Sequence, residues 1–277
     1  NTKMDMDETV AFYDKEMALD GWIAREAEAD DAAGGLVDAA HLGVFLLHVG
    51  QHPGVDMRQL ARHLADLAVV EADVDVDPDF QGLPVEDYQG KVVLIEDLSP
   101  TIKHIRLELD RPMAFQAGQY INLHVPSIDS TRAFSIANPP SMSGIIDLHV
   151  RKVEGGAGTT WLHDELQVGQ SLDVSGPYGQ FFVRKSDPQG AIFIAGGSGL
   201  SSPESMIMDL LEEGDTRPIY LFQGARNKAE LYHADHFYQL AEKHDNFHYI
   251  PALNAPLPDD AWEGFVGFVH EAVGQFF

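Results

Sequence analysis

The chain has no cysteine among its 277 residues. That excludes disulfides, thiolate nucleophiles, cysteine-ligated zinc and cysteine-ligated iron–sulfur clusters within this chain. Basic residues are scarce: 18 Lys and Arg stand against 44 Asp and Glu, a formal charge of −26. A field of that sign repels phosphate backbones and anionic lipid, so no nucleic acid and no membrane surface is expected as a partner. No apolar run approaches the ~18 residues a membrane helix needs. No signal-peptide pattern stands at the N-terminus, and a cytoplasmic protein is expected.

What remains is a globular composition, 44% apolar and 22% charged, on a chain long enough for two domains with separate cores. The charge is uneven. Residues 1–90 carry 20 acidic and 5 basic residues, and residues 91–277 carry 24 and 13. Such an acidic first third is either a docking surface or a solvated face.

Residues 1–70 read as an acidic helical segment, rich in Ala, Leu, Glu and Asp, with apolar residues from Met57 to Ala68 at three- and four-residue steps. Residues 71–87, with the run Glu71 to Asp79, read as a linker. From Tyr88 the pattern becomes short β-type runs punctuated by Ser99-Pro100, Gly118 and Gly169, which predicts an antiparallel sandwich or barrel. After Pro188 continuous apolar runs at Ala191–Ala195, Pro218–Phe222 and Phe247–Pro251 alternate with helical patterns. That is a βαβαβ order and predicts a parallel sheet.

Four segments carry chemistry. Ala195-Gly-Gly-Ser-Gly-Leu-Ser-Ser-Pro203 joins a buried strand to a helix. Its glycines allow close backbone approach, and the helix N-terminus offers N–H groups to a phosphate. No Lys follows them, so this is not a Walker loop. Arg132-Ala-Phe-Ser places an arginine and an aromatic on one strand face, followed by a hydroxyl. Gly155 to Leu162 is a glycine loop entering a helix with two threonines at the cap. Ser175-Gly-Pro-Tyr-Gly-Gln-Phe-Phe182 is a turn-rich segment with aromatics. Taken singly, each also fits ordinary turn, cap or strand geometry.

Other patterns point elsewhere more weakly. His48 and His52 stand four apart, a possible ligand pair, but packed or surface histidine is the commoner use, and no metal site is expected. His233 and His236 sit at a helix start and are expected to face solvent. No Glu-x-x-His occurs in residues 1–70, which argues against a carboxylate di-iron helix. The negative surroundings of Arg58 to His63 argue against a DNA-reading helix.

In this order and spacing the four segments resemble the ferredoxin–NADP reductase family over residues 86–270. The resemblance is closest to the reductase components of phenol-hydroxylase-type multicomponent monooxygenases. Leu98-Ser-Pro-Thr-Ile-Lys, Pro112 to Asn122, Arg132 to Pro139 and Glu230-Leu-Tyr add to it. It implies a multi-domain chain: an antiparallel Greek-key FAD barrel over 88–187, then an α/β parallel-sheet NAD(P)H-binding domain over 188–277. Arg132 would pair with the FAD pyrophosphate, Phe134 would pack on the flavin ring, and Ser135 would sit at the hydride-accepting nitrogen as the catalytic residue. His149, Val150 and Arg151 would line the ribityl and adenine side. Gly158, Thr159 and Thr160 would hold the FAD pyrophosphate. Gly196, Gly197, Ser198 and Gly199 would receive the NADH pyrophosphate, with Gly224 and Arg226 approaching the adenosine. NADH is implied over NADPH, and an oxygenase or another electron-acceptor protein would be the partner.

The resembled reductases also carry a cysteine-ligated 2Fe–2S domain, and no iron–sulfur cluster is expected in this cysteine-free chain. Their pattern continues beyond the position of Phe277, so the 188–277 domain is expected to be incomplete. The helical segment 1–70 would then be a docking surface. The alternative is a non-catalytic FAD-binding subunit acting in complex assembly.

Overall fold

The computed structural model describes residues 77–277 and the strand Phe45–His48 (β1). The antiparallel part follows: β2 (Glu86–Ser99), β3 (Ile102–Leu109), β4 (Tyr120–Val125), β5 (Ser130–Ser135), β6 (Ile145–Arg151), the helix α1 (Ala157–Asp164) and β7 (Ser171–Tyr178). They form a six-stranded curled sheet in the order β5-β4-β7-β2-β3-β6. Burial alternates along β3 and β4 as the period-two pattern requires. Its inward residues, among them Ile105, Leu107, Ile121, Leu123, Ile146 and Leu148, make one core. The sheet is a half-barrel, because no ladder joins its edge strands β5 and β6. The segment after β5 bridges them instead. Ala137 N–H donates to Asp147 O at 2.9 Å, Asn138 Nδ2 donates to Ile145 O at 2.9 Å, and Asp147 N–H donates to Asn138 Oδ1 at 2.8 Å.

The second sheet is built from β8 (Ala191–Gly196), β9 (Ile219–Ala225), β10 (Phe247–Leu253) and β11 (Phe265–Val266), parallel to one another. The helices α2 (Ser201–Glu212), α3 (Ala234–Lys243) and α4 (Val269–Phe276) connect and cover them. β8 is buried along nearly its whole length, as a strand covered on both faces must be. The core of this half takes in Ile102 and Ala117 from the curled sheet, so the two hydrophobic cores abut. Among the described residues no helix is long and apolar enough to cross a membrane.

One expectation is corrected. Residues 45–48 lie within the segment read as helical, yet they form a strand antiparallel to β8, with Phe45 opposite Ile194 and His48 opposite Ala191. Four residues, three of them apolar, are too short a run for periodicity to separate strand from helix. The rest of segment 1–70, with its docking role, lies outside the described residues. The described end of the 71–87 segment is tied to the chain after β7: Asp77 pairs with Arg184 at 2.7 Å, Ser186 N–H donates to Asp79, and Phe80 stacks on Phe182 at 6.0 Å.

Candidate functional site

The first cluster lies where β5 meets α1. Arg132 pairs with Leu123 of β4 in the inward register, and its aliphatic stem lies under the N-terminus of α1. A Cβ placed on Gly158 would stand 3.8 Å from Arg132 Cγ and 3.2 Å from Ile128 Cδ1. Glycine at 158 is what lets the helix end approach the arginine. No side chain caps that helix end. The Arg132 guanidinium donates to Thr131 O at 2.7 Å and Ser130 Oγ at 3.2 Å through one nitrogen, leaving the rest of its donor fork. A cationic fork beside an uncapped helix N-terminus is an arrangement that can receive an anion. Thr159 is spent on the loop itself: its hydroxyl accepts from Val153 N–H at 3.1 Å and donates to Gly156 O at 3.3 Å. Thr160 is half-buried one position further on.

Phe134 follows Arg132 on the same face but is only 7% exposed and belongs to the core of the curled sheet. Ser135 lies on the opposite face and opposes Tyr120 in register. The Tyr120 ring stacks on Tyr178 at 5.5 Å.

The second cluster is the loop after β8. Gly196 ends the strand, Gly197 adopts φ +54°, and Gly197–Leu200 make one 3-10 turn before α2. Ser198 O accepts from Ser201 Oγ at 2.9 Å, and Gly199 completes the turn. Arg151 reaches this loop from β6, with one guanidinium nitrogen 3.6 Å from where a Gly197 Cβ would lie. A Cβ placed on Gly196 would stand 3.2 Å from Gly224 O across the sheet. Gly224 itself is needed for packing, since a Cβ there would come 2.9 Å from Val269 Cβ of α4. Beyond it, Arg226 O accepts from Ala255 N–H at 2.8 Å. Asn254, at the carboxyl end of β10, has a buried Oδ1 without a hydrogen-bond donor.

His149 joins a different network from the one expected. Neither His149 nor Val150 lines an open surface, at 6% and 1% exposure. The His149 ring lies between the sheets, with Nδ1 3.3 Å from Tyr232 OH and 3.9 Å from Glu204 Oε2. Burial drives its pKa down to about 4, so the ring is neutral. Tyr232 OH donates to Gly197 O at 2.9 Å, and burial raises its pKa well above the ordinary value. His233 faces Glu204 at 3.0 Å rather than solvent. Burial alone would raise Glu204, but the His233 hydrogen bond and the nearby His149 hold it below the usual carboxylate range. Behind His149, His104 bridges Glu96 and Asp147 at 2.9 and 2.8 Å.

These contacts were not legible from spacing. Residues 149, 204 and 233 are far apart in the chain and on three different elements. One earlier signal is explained: Ser99 and Thr101 hydroxyls both donate to Glu230 Oε2, at 3.1 and 2.9 Å. Two of the stretches singled out in the sequence thus touch each other. A surface groove of about 470 Å³ on the outer face of the curled sheet contains none of the expected residues. It is lined by Asp87, Asp110 and Asp173, whose carboxylates repel phosphate.

Comparison with known proteins places both halves. A family model described as an oxidoreductase FAD-binding domain matches residues 89–183, and one described as an oxidoreductase NAD-binding domain matches 193–277. A phenol hydroxylase P5 protein of Acinetobacter pittii is 69% identical over 209 residues, 76% of this chain and 59% of the relative. The reductase component of a phenol 2-monooxygenase from Pseudomonas sp. is 63% identical over 214 residues, 77% of this chain and 60% of the relative. The chain therefore spans about three-fifths of the length of these relatives. Among solved structures, the Amycolatopsis cytochrome P-450 reductase GcoB aligns with TM-score 0.66 and 27% identity, covering 86% of this chain and 75% of the other.

Proposed function

The chain belongs to the ferredoxin–NADP reductase family of FAD- and NAD-binding oxidoreductases, and from that premise we propose that it takes hydride from NADH onto FAD and passes electrons to an oxygenase partner. The observation that carries the reading is the contact of the Arg132 stem with the uncapped α1 N-terminus at Gly158, matched by the glycine loop at the carboxyl end of β8. The donor set suits two pyrophosphates, one at each helix start. Bound FAD supplies a ring that accepts hydride, and bound NADH supplies the hydride.

The residues of this chain position and tune. Arg132 and the α1 N-terminus neutralise the FAD pyrophosphate, with Gly158, Thr159 and Thr160 shaping the helix start. Ser135 offers its hydroxyl at the hydride-accepting edge, and Phe134 backs the ring from the core. His149 and Val150 serve through their backbone, because their side chains are buried. Gly196, Gly197, Ser198 and Gly199 present N–H groups to the NADH pyrophosphate, with the Arg151 guanidinium beside them. Gly224 sets the spacing between β9 and α4, and Arg226 approaches the adenosine.

NADH is preferred over NADPH on the chemistry of Asn254. Its orphaned buried acceptor suits a ribose hydroxyl, which can donate, and disfavours a phosphate, which cannot. The two curated relatives described above are phenol hydroxylase proteins, and an oxygenase of that class is the acceptor we assign.

The flavin site is tested by Arg132→Ala. A charge-assisted contact of this kind contributes roughly 1.5–3 kcal/mol, so the FAD Kd rises about tenfold to a hundredfold while far-UV circular dichroism is unchanged. An unaltered FAD Kd removes Arg132 from the site.

A further inference from the structure

The His149, Glu204 and His233 cluster has a composition and geometry that flavin or nicotinamide binding does not require. Each residue offers one ligating atom, and these atoms lie within 4.8 Å of one another. His149 Nδ1 is 3.9 Å from Glu204 Oε2, and His233 Nδ1 is 3.0 and 3.1 Å from the two Glu204 oxygens. Four ligands about 2.0–2.1 Å from a tetrahedral zinc stand roughly 3.4 Å apart, so the observed separations bracket what such an ion needs. We propose that His149, Glu204 and His233 form a binding site for a divalent transition-metal ion of zinc type.

Two imidazoles and one carboxylate match a borderline ion such as zinc. A harder ion such as magnesium would prefer oxygen donors alone. The Glu204 side chain is only 12% exposed, so its carboxylate faces the two imidazoles rather than bulk water. His233 holds φ +58°, a left-handed backbone that a non-glycine residue rarely adopts, and this turn aims its ring at Glu204. The His104 ring, held by Glu96 and Asp147, backs the His149 ring edge-on at 5.8 Å. Tyr232 OH, 3.3 Å from His149 Nδ1, gives up that contact when the nitrogen ligates and keeps its hydrogen bond to Gly197 O. Three protein ligands leave a fourth position for water.

The three ligands come from β6, α2 and the turn before α3. A bound ion therefore ties the curled sheet to the parallel-sheet half directly beneath Gly197, whose carbonyl is held by Tyr232. The ligating side chains are not those assigned to the FAD and NADH anion sites, where His149 enters only through its backbone, so the proposal does not depend on that reading.

The test is equilibrium dialysis of the full chain against zinc chloride, with metal quantified per chain, alongside thermal unfolding with and without zinc. Glu204→Gln and His233→Asn are the diagnostic variants. Asparagine tolerates the left-handed backbone, so the second variant preserves the turn even if the first perturbs packing. His236→Gln is the control, because the His236 ring lies 6.4 Å from His233 and outside the cluster. The expected result is one zinc per chain in the parent and in His236→Gln, at least tenfold weaker binding in both diagnostic variants, and a zinc-dependent rise in Tm that both variants lose. Equal zinc affinity in the parent, Glu204→Gln and His233→Asn overturns the proposal. So does loss of binding in His236→Gln alone, which would mark a surface histidine site, or less than one zinc per chain at 100-fold excess over protein.

Discussion

Asp147→Asn probes the network that closes the curled sheet. The Asp147 carboxylate takes a two-pronged hydrogen bond from Arg106, at 2.7 and 2.8 Å, and a third contact from His104 at 2.8 Å. Its backbone also holds the segment after β5 through Ala137 and Asn138. Burial alone would raise its pKa, but Arg106 and His104 outweigh that and bring it from 3.8 to about 2. The side chain is only 10% exposed, so solvent screening takes little from this interaction. A depression of nearly two pKa steps corresponds to about 2 kcal/mol that the ionised carboxylate contributes to folding. Because the folded pKa lies below the unfolded one, that contribution is complete above about pH 4 and is lost as pH falls toward 2. Asn keeps the shape without the charge. The variant is therefore expected to be about 2 kcal/mol less stable than the parent at pH 7, with the gap shrinking at pH 3 and below. Urea unfolding followed by circular dichroism at both pH values measures this. A gap that is equal at pH 7 and pH 3, or absent at pH 7, refutes the argument that the charge does the stabilising.

Two further substitutions test how the halves meet. Gly118 has φ +101°, and a Cβ there would fall 2.2 Å from both Phe181 O and Met206 Cε of α2; Gly118→Ala is expected to cost roughly 2–4 kcal/mol, whereas Gly144→Ala, with nothing within 4 Å, should stay within about 0.5 kcal/mol in the same urea assay. Tyr232→Phe removes the hydroxyl that holds Gly197 O, at a cost of roughly 1 kcal/mol in loop order; the KM for NADH should rise several-fold with FAD content unchanged, and an unaltered KM would separate Tyr232 from the nicotinamide loop.

Much of the architecture was readable because it rests on local periodicity. Alternation along Ile102–Leu109 and Tyr120–Val125, and continuous apolar runs at Ala191 and Phe247, are direct consequences of one or two buried faces. The glycine loop at 196–199 was visible because close backbone approach leaves few residue choices. Gly158 was visible too, though its neighbour was not: only the fold brings the Arg132 stem under it. Gly224 looked like part of the cofactor loop, yet its hydrogen is needed by Val269. The strand Phe45–His48 was hidden because its pairing partner, β8, is nearly 150 residues away and its four residues carry no period of their own. The His149, Glu204, Tyr232 and His233 network was hidden for a stronger reason. No spacing in the sequence relates residues 149, 204, 232 and 233, and long-range pairing alone brings them together.

The most direct test of the account is an anaerobic visible spectrum of the purified chain reconstituted with FAD, recorded before and after NADH is added. The account predicts a bound-flavin spectrum that NADH bleaches, faster than the same concentration of NADPH does. A chain that retains no flavin after reconstitution, or holds flavin that NADH leaves oxidised, contradicts it.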